Sequence, residues 1–216
     1  HTGIRRQRQM CIRDRDASTL GKIDIQGTDA SEFLNRVYTN AWSKLEIGKC
    51  RYGLMLNEDG MVYDDGVTTR LDENHYIMTT TTGGAATVLG KLEDYLQTEW
   101  PELDVYLTSV TDHYATISVC GPNSKKIIQK VIPEIDLSDK DFPHMSFKNS
   151  KIGKVKCRVM RISFTGEQSY EINIQANYAK SVWENCMEAG KEFNITPYGT
   201  ETCLLYTSPS PRDSRR

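Results

Sequence analysis

The chain has 216 residues, of which 38% are hydrophobic and 26% are charged, a composition typical of a globular protein with one large domain or two small ones. No apolar run approaches the roughly 18 residues that a membrane span needs, so we expect no membrane segment. The six cysteines are scattered without a Cys-x-x-Cys pair, which argues against a disulfide framework or a zinc site. A reducing, cytoplasmic location is therefore predicted.

The net charge of −2 hides an uneven distribution along the chain. Residues 1–15 hold five arginines and one aspartate, and residues 206–216 hold three arginines and one aspartate. Without these two segments the net charge is −8, and an acidic body argues against nucleic acid as the partner. Both segments lack apolar periodicity, so we expect disordered or non-native tails and assign the domain to residues 16–205.

One arrangement of elements occurs twice. Residues 22–37 are typical of an alternating strand, a glycine turn and a short helix, for which Thr28 or Asp29 offers a capping oxygen. Residues 115–131 again combine a strand, a glycine, a polar segment and a helix. The repetition suggests an internal duplication.

The elements after each copy support the duplication. The first copy is followed by a hairpin that turns at residues 59–60, a strand, and an amphipathic helix over residues 85–96. Further strands and another amphipathic helix come after the second copy. We therefore predict an α+β fold with two similar halves, residues 20–110 and 113–200, each a mainly antiparallel sheet with packed helices. A cleft between like halves is a natural place for a ligand.

Two adjacent aspartates, Asp64 and Asp65, come after the predicted turn. Successive side chains of a strand point to opposite faces, so these two carboxylates cannot act as a pair in one site. Unbroken alternation places Asp65 on the apolar face with Tyr63 and Val67, and Asp64 on the other face. A carboxylate on an apolar face needs a partner or a shifted pKa, and both conditions suit catalysis. The spacing by itself is equally that of a structural aspartate that caps a backbone N–H.

The remaining polar residues give weaker signals. Glu171 alternates with Tyr170 and Ile172, which predicts a solvent-facing carboxylate. The four histidines are isolated from one another and from any Cys or Ser at a motif spacing, so neither a metal site nor a catalytic triad is expected. Residues 83–84 lack the further glycines and the lysine of a nucleotide-binding loop, and a tight strand-to-helix turn is favoured. Spacing alone leaves the function open.

A family resemblance covers about residues 16–203. Six segments resemble, in the same order, motifs of the aminomethyltransferase family, which includes the glycine cleavage T-protein. They are DASTLGK, IDIQGTDASEFLNRVYTNAW, RYGLMLNEDGMVYDDGVTTRL, TSVTDHYATISVCGPNS, RISFTGEQSYEI and ITPYGTE. The greatest similarity is to one branch of the family, the folate-binding domains of heterotetrameric sarcosine oxidase alpha subunits.

The resemblance implies a folate site in a central hole among three subdomains. Asp65 ends a Tyr-x12-Asp motif that begins at Tyr52, which implies that Asp65 is the catalytic acid near the folate N10. By the same matching, Tyr52 and Val67 resemble folate-pocket residues, and Phe164 resembles an aromatic residue against the ring system. Glu171 matches the carboxylate that binds the pteridine, so the resemblance contradicts the exposure that alternation predicts for it.

The resemblance also implies a reaction. Tetrahydrofolate is the implied cofactor, and the iminium formed by flavin oxidation of sarcosine is the implied substrate. The expected products are 5,10-methylenetetrahydrofolate and glycine, with Asp65 holding N10 and moving a proton. FAD, FMN and NAD are expected only in other domains or subunits, because the chain has no Gly-x-Gly-x-x-Gly motif. Other sarcosine oxidase subunits are the implied partners.

Two departures from the family pattern limit these expectations. Glu201 stands where the T-protein has an arginine, which favours the oxidase or dehydrogenase branch. Relatives continue into a third, β-rich subdomain, so we expect a folate hole open on one side and a chain that is inactive alone. The alternatives that stay open are a dimethylglycine oxidase, a dimethylglycine dehydrogenase or a T-protein domain, a non-catalytic folate-binding module, and a duplicated α+β interaction domain.

Overall fold

The computed structural model describes residues 13–164 and 166–199, with side chains from residue 16 onward. Most of the first expected tail and all of the second lie outside these residues, so the expectation of disorder stays a prediction. Residues 13–15, which the sequence analysis assigned to the first tail, belong instead to strand β1, Arg13–Asp16. The folded body therefore begins earlier than the predicted boundary.

The first half is built on a five-stranded antiparallel sheet, the first sheet. Its strands are β2 (Gly21–Gln26), β3 (Cys50–Leu56), β4 (Val62–Asp72), β5 (His75–Thr80) and β6 (Tyr106–Ser109). They lie in the order β3-β4-β5-β2-β6. The helices of this half are α1 (Ala30–Val37) and α2 (Ala85–Asp94), and α2 ends in a wider turn over Tyr95–Glu99.

The second half is built on a six-stranded sheet, the second sheet. Beside β1 it contains β7 (Tyr114–Cys120), β8 (Ser146–Ile152), β9 (Val155–Arg161), β10 (Ser169–Gln175) and β11 (Thr196–Pro197). The order is β11-β1-β7-β10-β9-β8, and the β1–β11 pair is parallel while the other pairs are antiparallel. Its helices are α3 (Ser124–Val131) and α4 (Ala179–Gly190). The predicted α+β class with two similar, mainly antiparallel halves is confirmed.

Each half has its own apolar core between its sheet and its helices. In the first half, alternate residues of β2, such as Ile23 and Ile25, pack against Phe33 and Leu34 of α1. The corresponding cluster in the second half includes Ile172 of β10. Full burial of one such side chain contributes about 1.5–3 kcal/mol, so these two clusters are the main source of stability.

A third cluster joins the two sheets on the faces that point away from these cores. It contains Cys50, Met160 and Ile162, with Val67 packed against them. The hydroxyl of Thr69 lies 3.4 Å from the sulfur of Met160, across the boundary between the halves. The inner faces of the two sheets therefore meet, and residues that alternate away from the helices face the other half.

The start of α1 differs from the prediction. Neither Thr28 nor Asp29 caps the helix through its side chain. The Thr28 hydroxyl donates to the Asp104 carboxylate at 2.9 Å, and the Asp29 carboxylate accepts the backbone N–H of Asp104 at 2.9 Å. Both side chains thus tie the helix to the segment before β6, a long-range contact that local sequence cannot reveal.

Strands β4 and β5 come very close together at Gly66. A Cβ atom placed on Gly66 lies 1.8 Å from the carbonyl oxygen of Thr79, and backbone cannot yield as a flexible side chain can. We therefore expect Gly66→Ala to lower the free energy of unfolding by about 2 to 3 kcal/mol, as measured by urea denaturation. The matched control is Gly90→Ala, since a Cβ there meets nothing within 4 Å. An exposed helical glycine is about 1 kcal/mol less favourable than alanine, so this change should not lower the free energy of unfolding. Equal effects at the two positions would contradict the close approach of β4 and β5.

Candidate functional site

A cavity of about 400 Å³ lies between the two sheets. The first sheet contributes residues of β3, β4 and β5, and the second sheet contributes β10 and the segment after β9. All five residues that the resemblance implicates line this candidate cavity: Tyr52, Asp65, Val67, Phe164 and Glu171. The fold therefore brings together residues that are up to 119 positions apart in the sequence.

Tyr52 and Asp65 form a hydrogen-bonded pair on the wall that the first sheet provides. The Tyr52 hydroxyl donates to Oδ2 of Asp65 at 2.8 Å, between the neighbouring strands β3 and β4. Loss of solvation, together with the hydrogen bond to Asp65 and its charge, raises the pKa of Tyr52 to about 12. Tyr52 therefore stays protonated at neutral pH and holds the carboxylate of Asp65 in one orientation.

Asp65 lines the cavity on the same face as Val67, as alternation predicts, but the predicted grouping of Asp65 with Tyr63 is wrong, because the alternation breaks within β4. The pairing of β3 with β4 shifts at this point, so that Met55 opposes Asp64 and Leu56 opposes Val62. The extra residue, Tyr63, points to the α2 side, where its hydroxyl contacts the Thr87 carbonyl at 3.4 Å. Asp64 faces α2 as well and is only 3% exposed. A β-bulge of this kind aims Asp65 at the cavity between the sheets.

Asp64 has a structural place at the start of α2. Its carboxylate accepts the Thr81 hydroxyl at 2.6 Å and the Thr81 backbone N–H at 3.3 Å. Thr81 in turn accepts the backbone N–H of Gly84 in the strand-to-helix turn. Asp64 is thus the aspartate that satisfies backbone and hydroxyl donors, the role that the sequence had left open for Asp65.

Asp64 should make stability depend on pH. Burial raises the pKa of Asp64, and the hydrogen bonds from Thr81 offset this only in part. The folded protein then binds the Asp64 proton more tightly than the unfolded chain, so stability falls as pH rises from about 4 through the raised pKa. We expect the free energy of unfolding of Asp64→Asn to increase relative to that of the parent over this interval, as measured by urea denaturation. A decrease across the interval would indicate a lowered pKa.

Glu171 is buried, with 8% of its surface exposed, so the solvent-facing position predicted by alternation is wrong. Strand β10 lies between β7 and β9, and Glu171 faces the candidate cavity, which residues of the first sheet also line. The strand thus has an apolar face toward the helices and a polar face toward the first sheet. Alternation correctly separated the two faces but could not tell whether the polar one meets water or protein.

Lys22 is a residue of this region that sequence reasoning missed. It is 1% exposed, and its ammonium group donates to the carbonyl oxygens of Ser18 and Leu20, both at 2.9 Å. Burial lowers the pKa of Lys22, and the negative charge of Glu171 acts in the opposite direction. The only sequence signal was a charged residue inside a strand, which is usually a solvent-facing position.

The aromatic residue Phe164 lies on the open side of the cavity, where 64% of its surface is exposed. Val67 lies deeper and packs against the cluster that joins the sheets. The cavity therefore has an apolar lining with two carboxylates, Asp65 and Glu171, on opposite sheets. Among the described residues no group of three or more His, Cys, Asp or Glu side chains is placed to hold a metal ion. Nor is any helix within the described ranges long and apolar enough to cross a membrane.

The sequence is similar to two groups of characterised proteins. It is 55% identical over 188 residues to the sarcosine oxidase alpha subunit of Corynebacterium sp. (strain P-1), covering 87% of this chain and 19% of that protein. It is 49% identical over 201 residues to the alpha subunit of Rhizobium meliloti (strain 1021), of which it covers 20%. Identity to the aminomethyltransferase of Thermoanaerobacter sp. (strain X514) is 31%, with 48% of that protein covered. The chain thus spans about a fifth of the former proteins and about half of the latter.

Solved structures share the fold. The glycine cleavage system aminomethyltransferase T from Bartonella henselae superposes with a TM-score of 0.74 at 20% identity, over 89% of this chain and 49% of that one. A chain of the heterotetrameric sarcosine oxidase from Corynebacterium sp. U-96 superposes with a TM-score of 0.61 at 14% identity, over 86% of both chains. Residues 6–206 match the GCVT N-terminal domain family. With this match over most of its length, the chain belongs to the GCVT N-terminal domain family.

Proposed function

We propose that this chain is the folate-binding part of a sarcosine oxidase alpha subunit and that it transfers a one-carbon unit to tetrahydrofolate. The observation that carries the proposal is the candidate cavity, which is lined by the Tyr52–Asp65 pair on one sheet and by Glu171 on the other. The 55% identity to a sarcosine oxidase alpha subunit supports the choice of branch. The proposed products are 5,10-methylenetetrahydrofolate and glycine.

The residues present fit a folate. Its flat ring system needs apolar walls and an acceptor for its N–H groups, and Val67, Phe164 and Glu171 supply these. A volume of about 400 Å³ falls in the usual range of small-molecule pockets. Glu171 lies close enough to the buried cation Lys22 for its charge to act on that group.

Asp65 has the position and the support that a proton-transferring group needs. Tetrahydrofolate supplies two nitrogen atoms that take up the methylene carbon of the iminium derived from sarcosine. With folate bound, Asp65 would accept a proton from a folate nitrogen, and the Tyr52 hydroxyl would hold the carboxylate in place during this step. The two N–H protons that leave the folate balance those that convert the iminium nitrogen into the amino group of glycine. No covalent bond to the protein is needed.

The proposed whole enzyme contains further parts. The chain covers only 19% of the related alpha subunit, so the domains and subunits that bind FAD, FMN and NAD and that oxidise sarcosine are proposed to lie elsewhere in the enzyme. We propose the other sarcosine oxidase subunits as partners and the cytoplasm as the location. A dimethylglycine oxidase, a dimethylglycine dehydrogenase or a T-protein remains the alternative within the family.

Folate binding can be tested in a chimeric enzyme, in which this chain replaces the 188 matched residues of the Corynebacterium alpha subunit. Glu171→Gln removes the charge from a proposed hydrogen bond to the pteridine, and a charge-assisted bond contributes about 1.5 to 3 kcal/mol. We therefore expect tetrahydrofolate to bind about tenfold to a hundredfold more weakly by isothermal titration calorimetry. Glu167→Gln, at an exposed position just before β10, is the control and should leave affinity unchanged. An unchanged Kd for Glu171→Gln would refute the assignment.

A further inference from the structure

A row of polar side chains crosses the inner face of the second sheet, beyond the floor of the candidate cavity. The register places Asn149 of β8, Arg158 of β9 and Asn173 of β10 side by side, with Thr116 of β7 next to Asn173. Met160 stands on the same face, two residues along β9, and belongs to the cluster that joins the sheets. The row is therefore separated from the candidate cavity by packed apolar side chains.

Two residues of this row have buried N–H donors for which the described residues offer no acceptor. Asn173 is 3% exposed, and its Oδ1 accepts the Thr116 hydroxyl at 3.0 Å, while its Nδ2 has no acceptor among the described residues. On the neighbouring strand, Nε and Nη1 of Arg158 are likewise buried and have no acceptor in the described part of the chain. Buried donors are costly when they are left unpaired, and charged donors cost most.

Two aromatic rings contact the Arg158 guanidinium, but they leave its buried N–H groups without a hydrogen-bond acceptor. The guanidinium lies 5.9 Å from the ring centre of Tyr114 and 5.8 Å from that of Phe147. These ring contacts attract the cation but supply no oxygen acceptor to its N–H groups. Asp24 adds a negative charge from the first sheet, but its carboxylate bonds to the His75 ring at 2.7 Å and to the Gln26 amide at 2.7 Å.

A second cavity, of about 700 Å³, gives access to this row and is here named the Arg158 cavity. Arg158, Asn149, Asn173 and Tyr114 line it together with other residues. Its charged lining residues are mostly basic, with two acidic residues against four cations: Glu134, Asp136, Lys148, Lys151, Lys156 and Arg158. The Arg158 cavity thus combines a positive potential with unpaired N–H donors.

We propose that the Arg158 cavity binds a small carboxylate whose oxygens accept N–H groups of Arg158 and Asn173. The two oxygens of a carboxylate can accept N–H groups from the planar guanidinium and the amide at the same time. This site lies outside the proposed folate pocket and stands independently of the proposed function.

The proposal can be tested by nuclear magnetic resonance of the 216-residue chain. This method is suitable because the side-chain N–H signals of arginine respond to the acceptors that they contact. Titration with sodium acetate, and separately with glycine, is compared with sodium chloride and sodium phosphate at equal ionic strength. We expect a saturable shift of the Arg158 Nε–H signal, assigned by its loss in Arg158→Lys, with acetate or glycine but not with chloride. The two carboxylates distinguish a general carboxylate site from one that also selects an amino group. A response to phosphate as strong as to acetate overturns the carboxylate assignment.

Variants separate binding from structural support. Acetate should raise the Tm of the parent but not that of Arg158→Met. In Arg158→Lys the rise in Tm should need about tenfold more acetate, because the apparent affinity falls about tenfold. Arg36→Met is the control, because Arg36 already pairs with Glu32 and Glu102 on the surface of the first half. Without any carboxylate, Arg158→Met should unfold at nearly the parent Tm. A large loss of Tm in that buffer, relieved by combination with Asp24→Asn, would show an internal partner instead and overturn the proposal.

Discussion

Asp65→Asn is expected to lower the rate of one-carbon transfer in the chimeric enzyme by a factor of about 100 to 10,000, the usual contribution of a positioned acid–base group. The amide keeps the size of the side chain and still accepts the Tyr52 hydroxyl, but it cannot accept a proton from the folate nitrogen. The measurement is the formation of 5,10-methylenetetrahydrofolate during sarcosine oxidation. Oxygen consumption should stay unchanged, and the iminium that is not captured should appear as formaldehyde.

The controls for Asp65→Asn separate catalysis from binding. Glu58→Gln removes an exposed carboxylate from the β3–β4 turn and should leave the transfer rate unchanged. The Kd for tetrahydrofolate should change by less than about threefold in Asp65→Asn, because the proposed loss falls on the transition state. If Asp65→Asn captures the one-carbon unit as well as the parent does, the chain is a folate-binding module without a catalytic role.

Lys22→Met is expected to lower the free energy of unfolding by about 3 kcal/mol, the scale of breaking a buried ionic contact. Methionine preserves most of the volume but leaves the carbonyls of Ser18 and Leu20 without their donor and takes a cation away from Glu171. Urea denaturation of the 216-residue chain measures the loss. Lys44→Met, at an exposed position, should change stability by less than about 0.5 kcal/mol.

A double-mutant cycle tests whether Lys22 acts through Glu171. If the two charges stabilise each other, Lys22→Met should cost less in the Glu171→Gln background than in the parent. Equal costs in both backgrounds would show that Lys22 serves only the two carbonyl groups. Coupling would also link the first half to the second, because β2 and β10 belong to different sheets.

The two carboxylates of β4 illustrate what pattern analysis can and cannot predict. Alternation correctly separated Asp64 from Asp65, since neighbouring strand residues face opposite ways. It grouped Asp65 correctly with Val67 but wrongly with Tyr63, because the bulge at Tyr63 depends on how β3 and β4 pair and leaves no mark in the sequence of β4 alone. The family resemblance selected Asp65 for a different reason, and Asp65 lines the candidate cavity.

Burial of polar residues was the second point at which pattern analysis failed. Lys22 and Glu171 alternate with apolar residues as they would on any half-exposed strand, yet both are buried. Periodicity reports the difference between two faces of a sheet but not what covers the polar one. Only the docking of the two halves turns these polar faces inward and makes them line cavities.

The sequence by itself determined the α+β class, the duplication, and the order of strands and helices, because these depend on local periodicity, turns and helix-forming segments. It also singled out five residues through ordered family motifs. The tertiary structure alone decided that these residues share one cavity, that Asp64 rather than Asp65 supports α2, and that Lys22 and Arg158 are drawn between the sheets. The physical reason is that register shifts and sheet-to-sheet packing depend on contacts between residues far apart in the chain.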